Sequence, residues 1–377
     1  MKSLILKSST FSLLLLLLLS CKNEPKATSI ETNNKANGNI KYARGFDIQH
    51  FENYTKLIIK APYQNADKSF EFKLTKAKSS GNLNSIQTPI NSIVVTSTTH
   101  IPMLELLQVE DKLVGYPNTN YISSKKTRKL ISKGFIKELG HEQSMNTELL
   151  LDLNPDLVVG FSLNSNNKLF STIEKFGIPV ILNGDWLEET PLGRAEWIKV
   201  FGVLFGKEKE ADSIFNKIEY DYLKVKAIAL KSLNKPTVIS GGLFKDIWNL
   251  PAGESFEATF LSDANTNYLW KNSRGKGSLS LNIENVFEKG QEADLWISPS
   301  FYKTLDQLKK ANDIYPQFKA FKNKNIFTFV NKQGEEGGII YFELAPARPD
   351  LVLKDLIKIA HPELLKEYEF TFFERLN

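Results

Sequence analysis

NTELLLDLNPDLVVGF, residues Asn146 to Phe161, is the stretch whose reading decides the fold. Its first part, NTELLLDLNP, reads as a helix with Asn146 as its cap. Its second part, DLVVGF, is a short, uninterrupted apolar run of the kind found in strands covered on both faces. A helix feeding directly into a buried strand is half of a βα unit.

The same alternation extends on both sides. Upstream lie the strand INSIVVTST, the helix IPMLELLQV with Pro102 in its first turn, and the strand KLVGYP. Downstream come the helix NKLFSTIEKFG, closed by Gly177, and the strand IPVILNGDW. Lys207 to Leu233 then contains neither proline nor glycine, and Ala211, Ile214, Phe215, Ile218, Tyr222, Val225 and Ala229 form one apolar stripe. This predicts a single helix of roughly 40 Å. The alternation restarts with the strand KPTVISGGLF, the helices SFEATFLSDAN and NIENVFEKG, and the strand ADLWISPS. The short helix IYPQFKAFKN, the strand NIFTFV and the closing helix RPDLVLKDLIKIAHPELL follow. The predicted fold class is α/β: two lobes built on parallel sheets, with one long helix between them.

The start of the chain has another character. Lys2 and Lys7 precede a leucine-rich run from Phe11 to Leu19, too short for the roughly 20 apolar residues of a membrane span. It reads as a signal peptide, residues 1–20. Leu18-Leu19-Ser20-Cys21 resembles the bacterial lipobox, and Cys21 is the only cysteine in 377 residues. Cys21 is thus the expected lipidation site, and acylation there leaves no thiol for disulfides or catalysis. Residues 21–39 are expected to be a flexible lipid tether, and 40–206 an N-terminal lobe that opens with an extra β hairpin or short meander at 40–88. Residues 207–233 form the interlobe helix and 234–377 the C-terminal lobe. The extra segment alternates polar with apolar residues, and an extension of the N-terminal lobe's sheet would account for it.

Composition excludes several classes of function. The formal net charge is +5, and removal of the signal takes away two lysines and no acid. Such a mild charge does not suit nucleic-acid binding. Hydrophobic residues make up 42% of the chain, enough for a core without cross-links. G-x-S-x-G, Walker and H-E-x-x-H patterns are absent, so no catalytic residues are assigned and no cofactor is expected. The glycine- and cation-containing SRGKGS (Ser273–Ser278) lacks the order of a phosphate loop and reads as a plain loop. The four histidines, His50, His100, His141 and His361, are far apart, and no metal ligand set is assigned.

Strand ends carry the candidate binding residues, because ligands of open α/β sheets gather at the carboxyl ends of strands. Tyr116 follows LVG, Phe161 follows DLVVG, Trp186 follows VILNGD, Trp248 follows the VISGG strand, and Tyr302 follows DLWISPS. These aromatic faces suit a large, partly flat organic ligand. Each of them singly serves packing equally well; the argument is their recurrence. His100, just past the first strand of the N-terminal lobe, is a secondary contact or a backbone-bonded loop residue. Arg194 and Arg348 could meet an anionic ligand, although Arg348 beside Pro349 also suits a helix anchor.

From about Ile90 to Leu365 the chain resembles the substrate-binding proteins of bacterial ABC importers for iron–siderophores, haem and cobalamin. PINSIVVTSTTHIPMLELLQVEDKLVGYP, SMNTELLLDLNPDLVVG, WNLPAGESFEATFLSDANTNYLW, GKGSLSLNIENVF and ARPDLVLKDLIKIAHPEL carry the resemblance, in the family's order. The resemblance implies two Rossmann-like lobes joined by one long rigid helix with the ligand cleft between them, small lobe closure, and no chemistry on the ligand. It also implies that Glu148 and Glu284, each two residues after an asparagine, dock the lobes on basic patches of the permease. A helix-start carboxylate favoured by the macrodipole is the plainer reading of both. The expected partners are an ABC permease with its ATPase, an iron-siderophore, haem or cobalamin-type ligand, and the membrane through the lipid anchor. The expected location is the cell membrane, facing the periplasm. Two rival readings remain: an envelope lipoprotein hydrolase using Asp185 and Glu254, and a metal-ion binding lipoprotein using His100 with His141 or a carboxylate.

Overall fold

The structure is a computed structural model that describes residues 36–37, 39–77, 82–141, 144–165 and 167–377. The signal peptide, Cys21 and most of the tether lie outside the described residues. Among the described residues no helix is long and apolar enough to cross a membrane.

The first sheet contains β1 (Ala36–Asn37), β2 (Phe46–His50), β3 (Thr55–Ile59), β4 (Phe70–Thr75) and β5 (Ser85–Gln87), paired in that order. β2, β3 and β4 form an antiparallel meander in which Leu57 faces Ile48 and Phe72, and β5 joins β4 in parallel. Alternation sends Phe46, Ile48, Leu57, Ile59, Phe72 and Leu74 inward. The expected hairpin or short meander is the centre of this five-stranded unit. It does not extend the neighbouring parallel sheet but forms a sheet of its own. The reason is local: the turn in which Phe51 N–H donates to the Tyr54 carbonyl (2.9 Å) splits the first alternating segment into two strands.

The N-terminal lobe follows as β6 (Ile93–Val95), α1 (His100–Leu106), β7 (Leu113–Tyr116), α2 (Lys125–Ser132), β8 (Lys137–Glu138), α3 (Thr147–Leu153), β9 (Leu157–Gly160), α4 (Lys168–Lys175) and β10 (Val180–Leu182). Its strands are all parallel, in the order β10-β9-β6-β7-β8. Every residue of β9 is buried, as an apolar run between two helical layers requires. The Asn146 side chain accepts Leu149 N–H at 3.0 Å and caps α3.

Helices α5 (Pro191–Glu196) and α6 (Ile198–Phe205) lead into α7 (Glu208–Ala229), whose 22 residues span about 33 Å. Ala211, Phe215, Ile218, Tyr222, Val225 and Ala229 form its buried stripe. α7 stops before the expected Leu233 because the buried Asn265 amide donates to the carbonyls of Ala229 and Ser232, both at 3.0 Å. On α7, Tyr222 donates to Asp263 at 2.7 Å and Lys226 pairs with the same carboxylate at 2.7 Å.

The C-terminal lobe contains β11 (Thr237–Ser240), β12 (Gly242–Phe244), β13 (Ile247–Pro251), α8 (Phe256–Asp263), β14 (Asn267–Tyr268), β15 (Ser278–Leu281), α9 (Ile283–Gly290), β16 (Leu295–Ile297), α10 (Leu305–Ala311), α11 (Lys319–Lys322), β17 (Ile326–Thr328), α12 (Ile340–Leu344), α13 (Pro349–Ala360) and β18 (Glu374–Arg375). Its main sheet runs β14-β11-β16-β17-β18, parallel except for β18. KPTVISGGLF, expected as one strand, breaks at Gly241, whose φ of +76° turns the chain out of the sheet. β12 then pairs with β13, and β13 with β15, in a separate antiparallel sheet.

A strap from Asn39 to Gly45 ties the first sheet to the lobe. The fully buried Glu196 carboxylate accepts the backbone N–H groups of Lys41, Tyr42 and Ala43 at 2.7–2.9 Å. Glu188 accepts those of Arg44 and Gly45 at 2.8–3.0 Å, and the Trp197 indole N–H at 2.9 Å. Lys41 and Tyr42 also bind Glu219 of α7, at 2.7 and 2.8 Å. Buried carboxylates are tolerable here because several donors replace their lost water.

Candidate functional site

Between the lobes lies a cavity of about 360 Å³. Thr98 and Thr99, just past β6, and Pro191 and Arg194 of α5 form one wall. Phe256, Glu257 and Phe260 of α8, with Tyr341 and Phe342 of α12, form the other. A neighbouring recess of about 180 Å³ shares Glu257, Phe260 and Tyr341 and reaches Ser240, Ser298 and Phe329 at the ends of β11, β16 and β17. A larger recess of about 480 Å³ sits at the opposite, amino ends of the N-terminal lobe's strands. It has no aromatic wall and no residue from the other lobe, so it is not the interlobe site.

Arg194 is the central cation of the cavity. Its Nη2 donates to the Trp186 carbonyl at 2.8 Å and its Nε to the Glu188 carbonyl at 3.3 Å. The guanidinium lies 3.4 Å from the centre of the Phe256 ring in the other lobe. Burial lowers its pKa from the usual arginine range, and the neighbouring acids, Asp185 foremost, oppose this. Glu257 is open to solvent through the cavity mouth, yet protein surrounds it closely enough to weaken its hydration. That loss of hydration raises its pKa, and Arg194 acts in the opposite direction. The cavity therefore offers one cation, one carboxylate and aromatic walls.

The structure separates the residues expected at strand ends. Phe161 and Trp186, at the ends of β9 and β10, meet edge to face with ring centres 5.5 Å apart, and both are half-buried. Tyr302 is half-buried beside Tyr315, at 6.4 Å. Trp248 does not face the cleft: it is 0% exposed, stacks on Trp296 at 5.2 Å and donates to the Ser240 carbonyl at 3.0 Å. The break at Gly241 made β12 a hairpin arm, and Trp248 on the returning arm turns into the core. Tyr116 is likewise a core residue, 2% exposed. His100 is 1% exposed behind Thr99, near Phe201 at 5.6 Å, and neither ring nitrogen has a hydrogen-bond partner among the described residues. Burial lowers its pKa to about 4 against the opposing charge of Asp185.

Glu148 and Glu284 are both exposed in the first turns of α3 and α9, each after a capping asparagine. Arg348 forks onto Asp350 with two 2.8 Å bonds, which anchors α13. The carboxylates of the hydrolase reading have other partners. Asp185 accepts Thr99 Oγ1 at 2.9 Å, and Glu254 accepts Gly275 N–H at 3.1 Å. His141 is exposed whereas His100 is buried, and among the described residues no three His, Cys, Asp or Glu side chains converge to hold a metal ion. Sequence reading missed Phe256, Glu257, Tyr341 and Phe342 because they sit on helices, not at strand ends.

Several contacts join the lobes around the cavity. Glu343 of α12 is buried and accepts Ser123 N–H at 2.6 Å and Ser124 N–H at 3.0 Å. Arg128 pairs with Glu336 at 3.4 Å. Lys276 pairs with Glu189, which also lies 3.8 Å from Arg44 of the strap.

Comparison with known proteins agrees with this architecture. An uncharacterized lipoprotein of Methanocaldococcus jannaschii is 28% identical over 311 residues, covering 80% of this chain and 72% of the relative. A possible iron-binding (periplasmic solute-binding) protein of Staphylococcus epidermidis shares the fold with a TM-score of 0.58 at 19% identity, covering 73% of this chain and all of that one. An ABC transporter substrate-binding protein of Listeria monocytogenes does so with a TM-score of 0.53 at 20% identity, covering 72% and 99%. The family model described as periplasmic binding protein matches residues 93–332, from β6 to just past β17. With the model matching well over half of the chain, the chain belongs to the periplasmic binding protein family.

Proposed function

We propose that the chain is the lipid-anchored substrate-binding component of an ABC importer, and that its ligand is a ferric siderophore, haem or a corrinoid. The observation that carries this reading is the interlobe cavity, where the aromatic rings of Phe256, Phe260, Tyr341 and Phe342 in the C-terminal lobe face Arg194 and the threonines of the N-terminal lobe, with Glu257 beside them. A volume of about 360 Å³ falls within the roughly 300–1,000 Å³ typical of small-molecule sites, and the adjoining recess adds to it. Arg194 suits anionic oxygens of a chelate or a propionate-like carboxylate, and the rings suit its flat faces. Phe161, Trp186 and Tyr302, half-buried at strand ends outside the lining of this cavity, are further ligand contacts of this reading.

The lipoprotein description of the archaeal relative supports an anchor at Cys21. The ABC transporter description of the Listeria structure supports delivery to a permease. Glu148 and Glu284, one exposed carboxylate per lobe, are the docking points of this reading. The test is titration of the purified protein with ferrichrome, ferric citrate, haem and cobalamin, followed by tryptophan fluorescence and by mass spectrometry of the recovered ligand. Saturable binding with the ligand recovered intact is expected. Absence of binding to all four, or a modified product, would overturn the reading.

A further inference from the structure

We propose that the strap Asn39–Gly45, acting through Glu188, is a positioning device that holds Arg194 at the ligand cavity. The inference rests on the reading of Arg194 as a ligand contact.

Glu188 is gripped from both directions. Its carboxylate accepts the backbone N–H groups of Arg44 and Gly45 and the indole N–H of Trp197. Its carbonyl accepts Nε–H of Arg194, and the Trp186 carbonyl two residues earlier accepts Nη2–H of the same side chain. The loop 186–188 is thus a clamp whose inner carbonyls aim the guanidinium and whose outer carboxylate is bolted to the strap. Two donors are used, and among the described residues the remaining N–H groups of Arg194 are left for a ligand.

Packing leaves this clamp little freedom. A Cβ at Gly45 of the strap would lie 2.8 Å from Trp197 Cζ2 and 3.1 Å from Glu188 Oε1. A Cβ at Gly193, beside Arg194 in α5, would lie 2.8 Å from Thr190 Oγ1 and 3.1 Å from Glu188 Oε2. The carboxylate is wedged between two glycines, one on the strap and one on the helix that carries the arginine. The strap precedes the segment matched by the family model, residues 93–332, whereas Glu188 and Arg194 lie within it. A long side chain such as arginine loses much conformational freedom when ordered, and fixing it beforehand favours binding.

The experiment uses the full chain with Glu188→Gln and, independently, Gly45→Ala, which presses on the same carboxylate from the strap. Leu57→Ala, in the core of the first sheet, serves as a destabilised control that leaves the clamp untouched. Affinity is measured for ferric citrate, an anionic chelate, and ferrichrome, a neutral one. Both clamp variants are expected to weaken ferric citrate about tenfold and ferrichrome less than about twofold, whereas Leu57→Ala leaves the ratio unchanged. The second readout needs no ligand: the Arg194 Nε–H resonance, assigned through Arg194→Lys, is expected to shift and exchange faster with solvent in both clamp variants only. An unchanged resonance in both variants, or equal weakening of the two chelates, would overturn the positioning role. If neither chelate binds the wild type, the proposed ligand class fails while the resonance still decides the clamp.

Discussion

Glu343 of the C-terminal lobe accepts the backbone N–H of Ser123 in the N-terminal lobe at 2.6 Å, so a buried side chain of one lobe closes on the main chain of the other. Burial raises the Glu343 pKa to about 7; hydrogen bonds from Ser123 and Ser124 lower it, and Glu105 adds to the rise. The folded protein therefore holds a proton here that the unfolded chain releases near pH 4.5. This group's contribution is complete below that value and is lost as pH rises through about 7. Glu343→Gln mimics the protonated form. Its melting temperature relative to wild type is expected to become more favourable from pH 5 to pH 8, read by differential scanning fluorimetry. A pH-independent difference would show that the carboxylate does not titrate in this window.

His100 acts in the opposite direction. Its folded pKa of about 4 lies below the ordinary 6.5, so the unfolded chain binds the proton first as pH falls. Stability is expected to drop between pH 6.5 and 4, by up to about 3 kcal/mol at the acid end. His100→Phe, beside Phe201, removes this loss. Chemical denaturation at pH 4.5 and 7 measures it, and identical pH slopes for variant and wild type would contradict the assignment.

Trp248 and Trp186 separate core from cleft. Trp248→Ala empties the stack on Trp296 and is expected to cost about 3–5 kcal/mol, with ligand affinity retained in the folded fraction. Trp186→Ala removes a half-buried ring at the end of β10 and is expected to cost less stability while changing the ligand-induced fluorescence signal. Denaturant titration alongside ligand titration distinguishes the two, and the reverse ranking would contradict their placement.

Asn265 of the C-terminal lobe caps the end of α7. Asn265→Ala leaves the carbonyls of Ala229 and Ser232 without their side-chain donor, at an expected cost of about 2 kcal/mol. Hydrogen exchange is expected to speed up in the last turn of α7 and remain unchanged around Phe215. Uniform acceleration along the helix would mean that its end is not separately fixed.

Glu148→Lys and Glu284→Lys are expected to leave ligand affinity unchanged and to reduce uptake in cells supplied with the cognate permease, the double variant most severely. Both side chains are exposed, so each substitution should shift stability by no more than about 0.5 kcal/mol. Full uptake by the double variant would remove them from the docking reading.

The regular elements of the lobes were legible because their signals are local. The run Leu157–Gly160 lacks alternation, and its strand is buried on both faces. The stripe from Ala211 to Ala229 has helical spacing, and it forms the buried face of α7. Asn146 caps the helix it precedes. The candidate site was legible only as a region. Trp248 looked like a cleft residue by its position after a strand, but a single positive φ at Gly241 sent it into the core.

Strand, helix and lobe order were determined by the sequence itself, since periodicity, caps and breakers act between residues a few positions apart. The lining of the cavity was decided only by tertiary structure. Arg194, Phe256 and Tyr341 are far apart along the chain and carry no shared pattern. Their meeting depends on where α5, α8 and α12 pack, and that is settled by long-range burial of apolar surface rather than by neighbouring residues.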